Sequence, residues 1–203
     1  MSTEICLVRD PFLSVLLEIL KRLVDGHVLG NLISHDEPRF PTERSPGPHA
    51  LPLETFLDLR DRAQRAYGAV ATEGLLWRAG SLAGGLLRHR LGNEMGFRQE
   101  SFGLLFPRQR AYTALLALAA TYQCYTPFSV EVSTQGETWL WQMRLQSCHQ
   151  AAGQRMSTAS FTAGLIQGLL AELNGGKFYA VHYTLAAPGA VLGLEVAREP
   201  LDG

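Results

Sequence analysis

Hydrophobic and polar positions recur along this chain with two periods. Apolar residues spaced three and four apart predict helices over residues 12–23, 53–67 and 160–173. Residues 108–122 are apolar on most sides and predict a helix at the centre of the core. Residues 128–143 alternate with a period of two, which predicts paired strands.

A further apolar helix is predicted over residues 73–87, although it contains four glycines. Each glycine inside a helix costs roughly 1 kcal/mol relative to alanine, so this composition needs a reason. Gly80 and Gly84 lie four residues apart, as do Gly164 and Gly168, so each pair shares one face of its helix. Such a face accommodates either another backbone or a flat ligand at close range.

The two strands of residues 128–143 are expected to form a hairpin with Gln135-Gly136 as its turn. This turn would pair Val132 with Trp139, Val130 with Trp141, and Phe128 with Met143. All six side chains would then share one face. The aromatic face would either pack on helices or form the wall of an apolar pocket.

The last helix is expected to end at Asn174-Gly175-Gly176. Two strands are predicted after it, over residues 177–185 and 190–197. Together these elements predict an α+β fold, with a small antiparallel sheet and helices packed mainly on one face.

Prolines concentrate in residues 36–52, which predicts a linker. We therefore expect an N-terminal extension with a helix over residues 1–52, a ligand-binding domain over 53–198, and a tail over 199–203.

Composition excludes several classes of function. Lysine plus arginine number 18 against 19 acidic residues, and no basic block occurs, so nucleic acid is not an expected partner. The near-neutral charge is compatible with self-association, and we expect a homodimer. The sequence has no segment typical of a membrane span or a secretory signal. The three widely spaced cysteines do not form a disulfide framework, so a cytoplasmic location is expected.

Candidate chemistry is sparse. Cys148 and His149 are neighbours in sequence and so are poorly placed as a nucleophile and its base. Cys124 and Cys148 flank the hairpin, and His149 or His182 could be a third ligand, but no spacing supports a metal site. The glycines of residues 92–96 lack the lysine and the preceding strand of a phosphate loop. We therefore predict no catalytic residue, no metal and no cofactor.

Three parts of the sequence resemble the 4-vinyl reductase domain family. They are the segment from Gly74 to Gly80, the strand of residues 139–144 leading to Cys148, and the helix–Gly-Gly–strand unit of residues 161–178. The resemblance covers residues 53–196. This family includes hydrocarbon-binding sensor domains and is distantly similar in fold to the TRAPP vesicle-tethering subunits and to haem-dependent nitric-oxide sensors. The resemblance implies the same fold and an apolar small-molecule pocket.

The family's metal ligands are a cysteine at the start of the last helix, a glutamate in the next strand, and two further cysteines. The corresponding positions here are Ala159, His182 or Tyr183, Ala186, and Leu192 or Gly193. Without the thiolates and the carboxylate, the resemblance does not imply a metal. The sequence also has no nicotinamide or flavin motif, so vinyl reduction by this chain alone is not expected.

The main functional hypothesis is a binding module for a flat hydrophobic molecule, either an aromatic hydrocarbon or a tetrapyrrole. Such a module could be an accessory or carrier protein of bacteriochlorophyll biosynthesis. The alternative is a ligand-free dimeric assembly protein similar to the TRAPP subunits, dimerising through apolar helices such as residues 73–91 and 108–122. The expected pocket walls are Trp77, Phe106, Trp139, Trp141 and Phe161.

Overall fold

A computed structural model describes Val15, Glu18 and Ile19 together with residues 53–126, 128–145, 159–184 and 192–201. The elements in chain order are α1 (Leu53–Tyr67), α2 (Ala69–Leu91), α3 (Glu100–Gly103), α4 (Pro107–Tyr125), β1 (Phe128–Gln135), β2 (Thr138–Leu145), α5 (Ala159–Leu173), β3 (Val181–Thr184) and β4 (Leu192–Ala197). The predicted linker at 36–52 and the residues Cys6, Cys148 and His149 lie outside the described residues. The helices predicted from apolar spacing within the described ranges are present.

The four strands form one antiparallel sheet in the order β1-β2-β4-β3. One face of this sheet is apolar and buried, and α4 and α5 pack on it. From α4, Tyr112 stacks on Trp139 with ring centroids 5.8 Å apart, and Tyr122 meets Trp141 edge-on at 5.9 Å. Tyr122 also reaches Thr162 of α5, with 3.3 Å between the two hydroxyl oxygens. The α+β architecture with helices on one sheet face is therefore confirmed.

The predicted hairpin register is wrong by two residues. Gln135 pairs with Thr138, so Gly136 and Glu137 form the turn, and Val132 faces Trp141 instead of Trp139. The physical reason lies in Gly136, whose φ of +55° occupies the first central position of the turn. Tight hairpin turns need positive φ at that position. Because a shift of two residues preserves the side-chain face, the predicted aromatic face still forms and is buried.

The first of the two C-terminal strands also begins later than expected. Residues 177–180 are not part of a strand, so β3 begins only at Val181. The helix before them ends as predicted, since Gly175 and Gly176 adopt φ values of +70° and +85° that favour glycine.

The glycine pairs of α2 and α5 pack against each other. A Cβ atom on Gly164 would lie 3.0 Å from the backbone N of Ser81, and one on Gly84 would lie 2.9 Å from the Cα of Leu169. Gly80 and Gly168 meet the partner helix equally closely. Residue numbers increase in the same direction along both helices, so the pair is parallel. Of the two sequence interpretations, the structure therefore supports close approach of another backbone.

Two apolar positions of the predicted N-terminal helix are also described. Val15 and Ile19 are helical and buried, and Glu18 forms an ion pair with Arg90 at the end of α2. No helix among the described residues has the length and apolar character needed to span a membrane.

Candidate functional site

A polar cluster joins the start of α5 to its neighbours α2 and β3. The hydroxyl of Ser160 donates a hydrogen bond to Oε2 of Glu73. The hydroxyl of Tyr183 lies 2.8 Å from the same Ser160 oxygen. Because the serine proton is already donated to Glu73, Tyr183 is the donor to Ser160. Arg60 of α1 completes the cluster, with Nη2 3.3 Å from Oε1 of Glu73.

A second connection runs parallel to the first, two helical turns further along α5. Nε1 of Trp77 donates to Oε1 of Gln167 at 3.1 Å. The amide nitrogen of Gln167 in turn lies 3.4 Å from the carbonyl oxygen of Tyr179, just before β3. Both connections therefore cross from α2 through α5 to the β3 segment. We call the side chains of Glu73, Trp77, Ser160, Gln167 and Tyr183 the polar strip.

The glycine contact explains why these side chains meet. Glu73 and Trp77 are four residues apart and lie on the same side of α2. Because Gly80 and Gly164 have no side chain, α2 and α5 lie close together. The short side chain of Ser160 can therefore reach the Glu73 carboxylate. Ordinary side chains between the helices would keep the backbones farther apart.

The polar strip combines two partly solvent-accessible aromatic rings with polar atoms between them. The Tyr183 side chain is 54% exposed and Trp77 is partly buried. Desolvation by burial raises the pKa of Tyr183, and the charge of Glu73 raises it further, while the hydrogen bond between Tyr183 and Ser160 opposes the shift. Tyr183 therefore stays protonated at neutral pH, as its role as a donor requires.

This arrangement suits binding better than nucleophilic catalysis. Ser160 is 5% exposed, so a substrate carbonyl cannot reach its hydroxyl without a rearrangement. Its carboxylate partner Glu73 is already neutralised by Arg60. Aromatic faces beside a few fixed polar groups are instead typical of small-molecule sites.

The predicted pocket residues occupy three different environments. Trp77 belongs to the polar strip, and Phe161, which follows Ser160 in α5, is buried. Trp139 and Trp141 lie together in the core under α4. Phe106 is 74% exposed at the start of α4 and lies apart from the other four. The sequence interpretation did not identify Glu73, Ser160, Gln167 or Tyr183 as site residues. A carboxylate within the glycine-rich apolar α2 was the available signal for Glu73.

Six buried side-chain polar atoms have no hydrogen-bond partner among the described residues, and two of them belong to aromatic side chains. These two are Nε1 of Trp141 and the hydroxyl of Tyr179. Desolvation by burial is the main cause that raises the pKa of Tyr179; Glu199 contributes in the same direction and Arg110 opposes it. Because buried donors are normally paired, each of these atoms lowers the stability of the fold by an amount that its removal can measure.

The described residues do not assemble a metal site. Within these parts of the chain, no group of three or more histidine, cysteine, aspartate or glutamate side chains converges. His89 and His182 are exposed, and His182 lies on the sheet face that points away from the helices. Cys124 is also exposed.

Comparisons with known proteins give a fold and no sequence relative. No family model matches the chain, and no curated protein matches it in sequence. Solved structures of H-NOX domains do match. One, from a study of H-NOX activation, has a TM-score of 0.60 at 9% identity over 96% of this chain and 98% of the other. The unliganded Fe(II) H-NOX protein from K. algicida has a TM-score of 0.59 at 9% identity, over 95% and 96% of the two chains.

An oxygen-binding H-NOX domain related to soluble guanylate cyclases gives the same TM-score of 0.59 at 9% identity, over 96% and 97% of the two chains. At this level of identity the likeness concerns the fold. The chain therefore has an H-NOX-like fold, which agrees with the distant fold similarity to haem-dependent nitric-oxide sensors expected from the sequence.

Proposed function

We propose that the protein is a binding module for a flat hydrophobic small molecule, and that the polar strip holds the polar edge of this ligand. The observation that carries the proposal is the pairing of two accessible rings, Trp77 and Tyr183, with the hydrogen-bonded groups of Glu73, Ser160 and Gln167. Apolar rings supply most of the contact area in such sites, and a few polar groups fix the orientation.

The dimensions of the strip favour a ligand with several rings. Ser160 and Gln167 are seven residues apart on α5, which corresponds to about 10 Å along the helix. An aromatic hydrocarbon with fused rings or a tetrapyrrole covers this distance, whereas a single six-membered ring does not. The similar H-NOX structures include one determined to examine porphyrin distortion and haem redox potential. From this likeness we propose tetrapyrroles as the first class of ligand to test.

Haem itself fits the described residues poorly. An axial ligand must reach the iron from inside a pocket, but His89 and His182 are exposed. Burial raises the pKa of Tyr179, which disfavours the phenolate that would bind iron. We therefore propose that the ligand is held by stacking and hydrogen bonds without coordination of a metal.

A more specific role follows from the resemblance to the 4-vinyl reductase family. In this role the protein is an accessory or carrier in bacteriochlorophyll biosynthesis, which holds a tetrapyrrole while a partner protein supplies reducing equivalents. It predicts that any turnover of the pigment depends on that second protein.

Fluorescence titration tests the ligand-binding proposal. The chain has three tryptophans; Trp139 and Trp141 are buried, and Trp77 is the one that belongs to the polar strip. We expect saturable quenching by protoporphyrin or a chlorophyllide, with an affinity several-fold lower in Trp77→Phe. Tyr183→Phe should weaken binding several-fold, because the hydrogen bond that orients the ring is removed.

A matched control is available elsewhere on the surface. Tyr125 also donates to a glutamate, Glu94, at 2.9 Å, but lies outside the polar strip. Tyr125→Phe should therefore leave binding unchanged. Absence of saturable quenching, or equal effects of Tyr125→Phe and Tyr183→Phe, would refute the proposed site.

The second candidate function is a ligand-free assembly protein similar to the TRAPP subunits. One observation favours it: the glycine faces of α2 and α5 are filled by each other's backbones, so they leave no room for a ligand between the two helices. This function predicts no affinity for either pigment together with stable self-association of the chain.

A further inference from the structure

Four large apolar side chains are exposed at one end of the molecule. Leu104 is 86% exposed, Phe106 74%, Leu201 59% and Phe178 55%. They come from three segments, namely the loop before α4, the turn after α5, and the segment after β4. We call these four residues the apolar end.

Hydrogen bonds and an ion pair join the three segments. Nη2 of Arg110 lies 3.0 Å from the carbonyl oxygens of both Gly103 and Leu105, and Nη1 lies 3.2 Å from that of Leu173. The backbone N–H of Leu201 donates to the carbonyl of Phe178 at 2.7 Å. The apolar end is therefore built into the fold, although its side chains face solvent.

A second connection lies at the border of the apolar end. Nη1 of Arg108 is 3.6 Å from Oε1 of Glu199, and both side chains are well exposed. Leu105, next to the two exposed residues of the loop, packs on the core, and Pro107 fixes the first turn of α4. The loop thus holds Leu104 and Phe106 outward from a fixed backbone.

We propose that the apolar end is the contact surface for a second copy of this chain. The first argument is area. Aromatic side chains bury roughly 150–250 Å² each when fully covered, and leucines bury less, so the exposed fractions leave about 500 Å² at the apolar end. Two copies would bury about 1,000 Å² in total, which is the lower limit for a specific interface and corresponds to a weak dimer.

The second argument is charge. A dimer with two-fold symmetry places the same surface on both sides, so the surface must complement itself. Arg108 and Glu199 border the apolar end with opposite charges, and a two-fold arrangement can bring Arg108 of one copy to Glu199 of the other. The net charge of −1 adds little repulsion between copies. An anionic membrane is a poorer occupant, because Glu199 offsets the basic charge at this border.

This surface differs from the helices that the sequence suggested for dimerisation. The glycine face of α2 is covered by α5 within the same chain. The apolar end lies near Leu173, at the opposite end of α5 from Ser160, and is therefore separate from the centre of the proposed ligand site.

Sedimentation velocity over about 5 to 500 µM protein tests the proposal, since a weak dimer dissociates within this range. We expect a reversible shift from monomer to dimer. Phe106→Asp should keep the chain monomeric at the highest concentration. Val70 provides the matched control, because it is 88% exposed at the start of α2, away from the apolar end. Val70→Asp should leave the association unchanged.

Charge exchange separates a two-fold contact from other modes of association. Arg108→Glu and Glu199→Arg should each weaken the dimer about ten-fold, and the double variant should restore it, because the opposite charges meet again. Circular dichroism confirms that each variant is folded.

Three results would overturn the proposal: a wild-type chain that stays monomeric throughout, a dimer that survives Phe106→Asp, or equal effects of Val70→Asp and Phe106→Asp. Sedimentation of a monomeric wild-type chain with anionic vesicles, abolished by Phe106→Asp, would assign the apolar end to a membrane instead. None of these results depends on whether the polar strip binds a ligand.

Discussion

Two adjacent glycines in α2 should respond to alanine in opposite ways. Gly84→Ala should lower the stability of the protein, whereas Gly85→Ala should raise it. A Cβ on Gly84 would lie 2.6 Å from the carbonyl carbon of Gly168 and 2.9 Å from the Cα of Leu169. A Cβ on Gly85 would have no atom within 4 Å apart from the backbone of its own helix and its chain neighbours. Both substitutions exchange the same residue types one position apart in the same helix, so each serves as the control for the other.

The expected magnitudes follow from these distances. Alanine in place of glycine stabilises a helix by up to about 1 kcal/mol, and this gain should appear undiminished for Gly85→Ala. Gly84→Ala makes the same gain, but carbon atoms normally approach only to about 3.5–4.0 Å. The helices must therefore separate by roughly 1 Å, and backbone atoms cannot rotate away as side chains do. Overpacking typically costs about 1–3 kcal/mol. Because backbone meets backbone here, we take the upper value of about 3 kcal/mol, which leaves a net loss of about 2 kcal/mol.

Urea denaturation followed by far-ultraviolet circular dichroism measures both changes. The two variants should differ by about 3 kcal/mol in free energy of unfolding, with similar dependence on urea concentration. Adding Gly168→Ala to Gly84→Ala should cost less than the two single changes together, because the first substitution has already separated the helices. If Gly84→Ala proved as stable as Gly85→Ala, the close parallel packing of α2 and α5 would be refuted.

Three further substitutions test other parts of the fold. Tyr179→Phe should stabilise the protein by about 1 kcal/mol in urea denaturation, because it removes a buried hydroxyl without a partner among the described residues. Because the pKa of Tyr179 is raised in the folded state, the contribution of its ionisation to the free energy of unfolding is constant below the ordinary value of 10.0, and stability is lost as the pH rises through the raised value. Tyr179→Phe should therefore make the alkaline loss of stability shallower. An unchanged slope would contradict this reasoning. Gly136→Ala should cost about 1–2 kcal/mol, because its φ is +55°, whereas Gly103→Ala, with open space at its Cβ, should cost less than half as much in the same assay. Arg110→Met should lower the melting temperature by several degrees because it unpairs three carbonyl groups, whereas Arg88→Met, which removes an exposed ion pair with 2.8 Å between charged atoms, should change it by much less.

Local patterns in the sequence were enough to predict the long helices and the buried face of the hairpin, but not the short helix α3. Side-chain alternation places Trp139, Trp141 and Met143 together whatever the turn, so the buried aromatic layer was predictable although the register was not. The error of two residues arose because Gly136 can occupy either central position of a tight turn. Only its backbone conformation decides between the two.

The polar strip could not be predicted from local patterns. Glu73 and Ser160 are 87 residues apart, and no periodicity relates them. Phe106 is a residue that local patterns assigned to the site although the structure places it elsewhere. Its aromatic ring suggested a pocket wall, yet it directly precedes Pro107, and its side chain faces solvent at the start of α4. Which aromatic residues gather around a common centre depends on contacts between distant segments.

The parallel arrangement of α2 and α5 has a consequence for the order in which the chain folds. Parallel neighbours cannot form as a helical hairpin, and α5 begins roughly 70 residues after α2 ends. At synthesis rates of about 5–20 residues per second, the glycine face of α2 therefore remains uncovered for on the order of 3–15 s until α5 is synthesised. The strand β4, which joins β2 to β3, emerges later still. The domain must consequently complete its fold from the C-terminal end, and we expect nascent chains that stop before α5 to depend on chaperones.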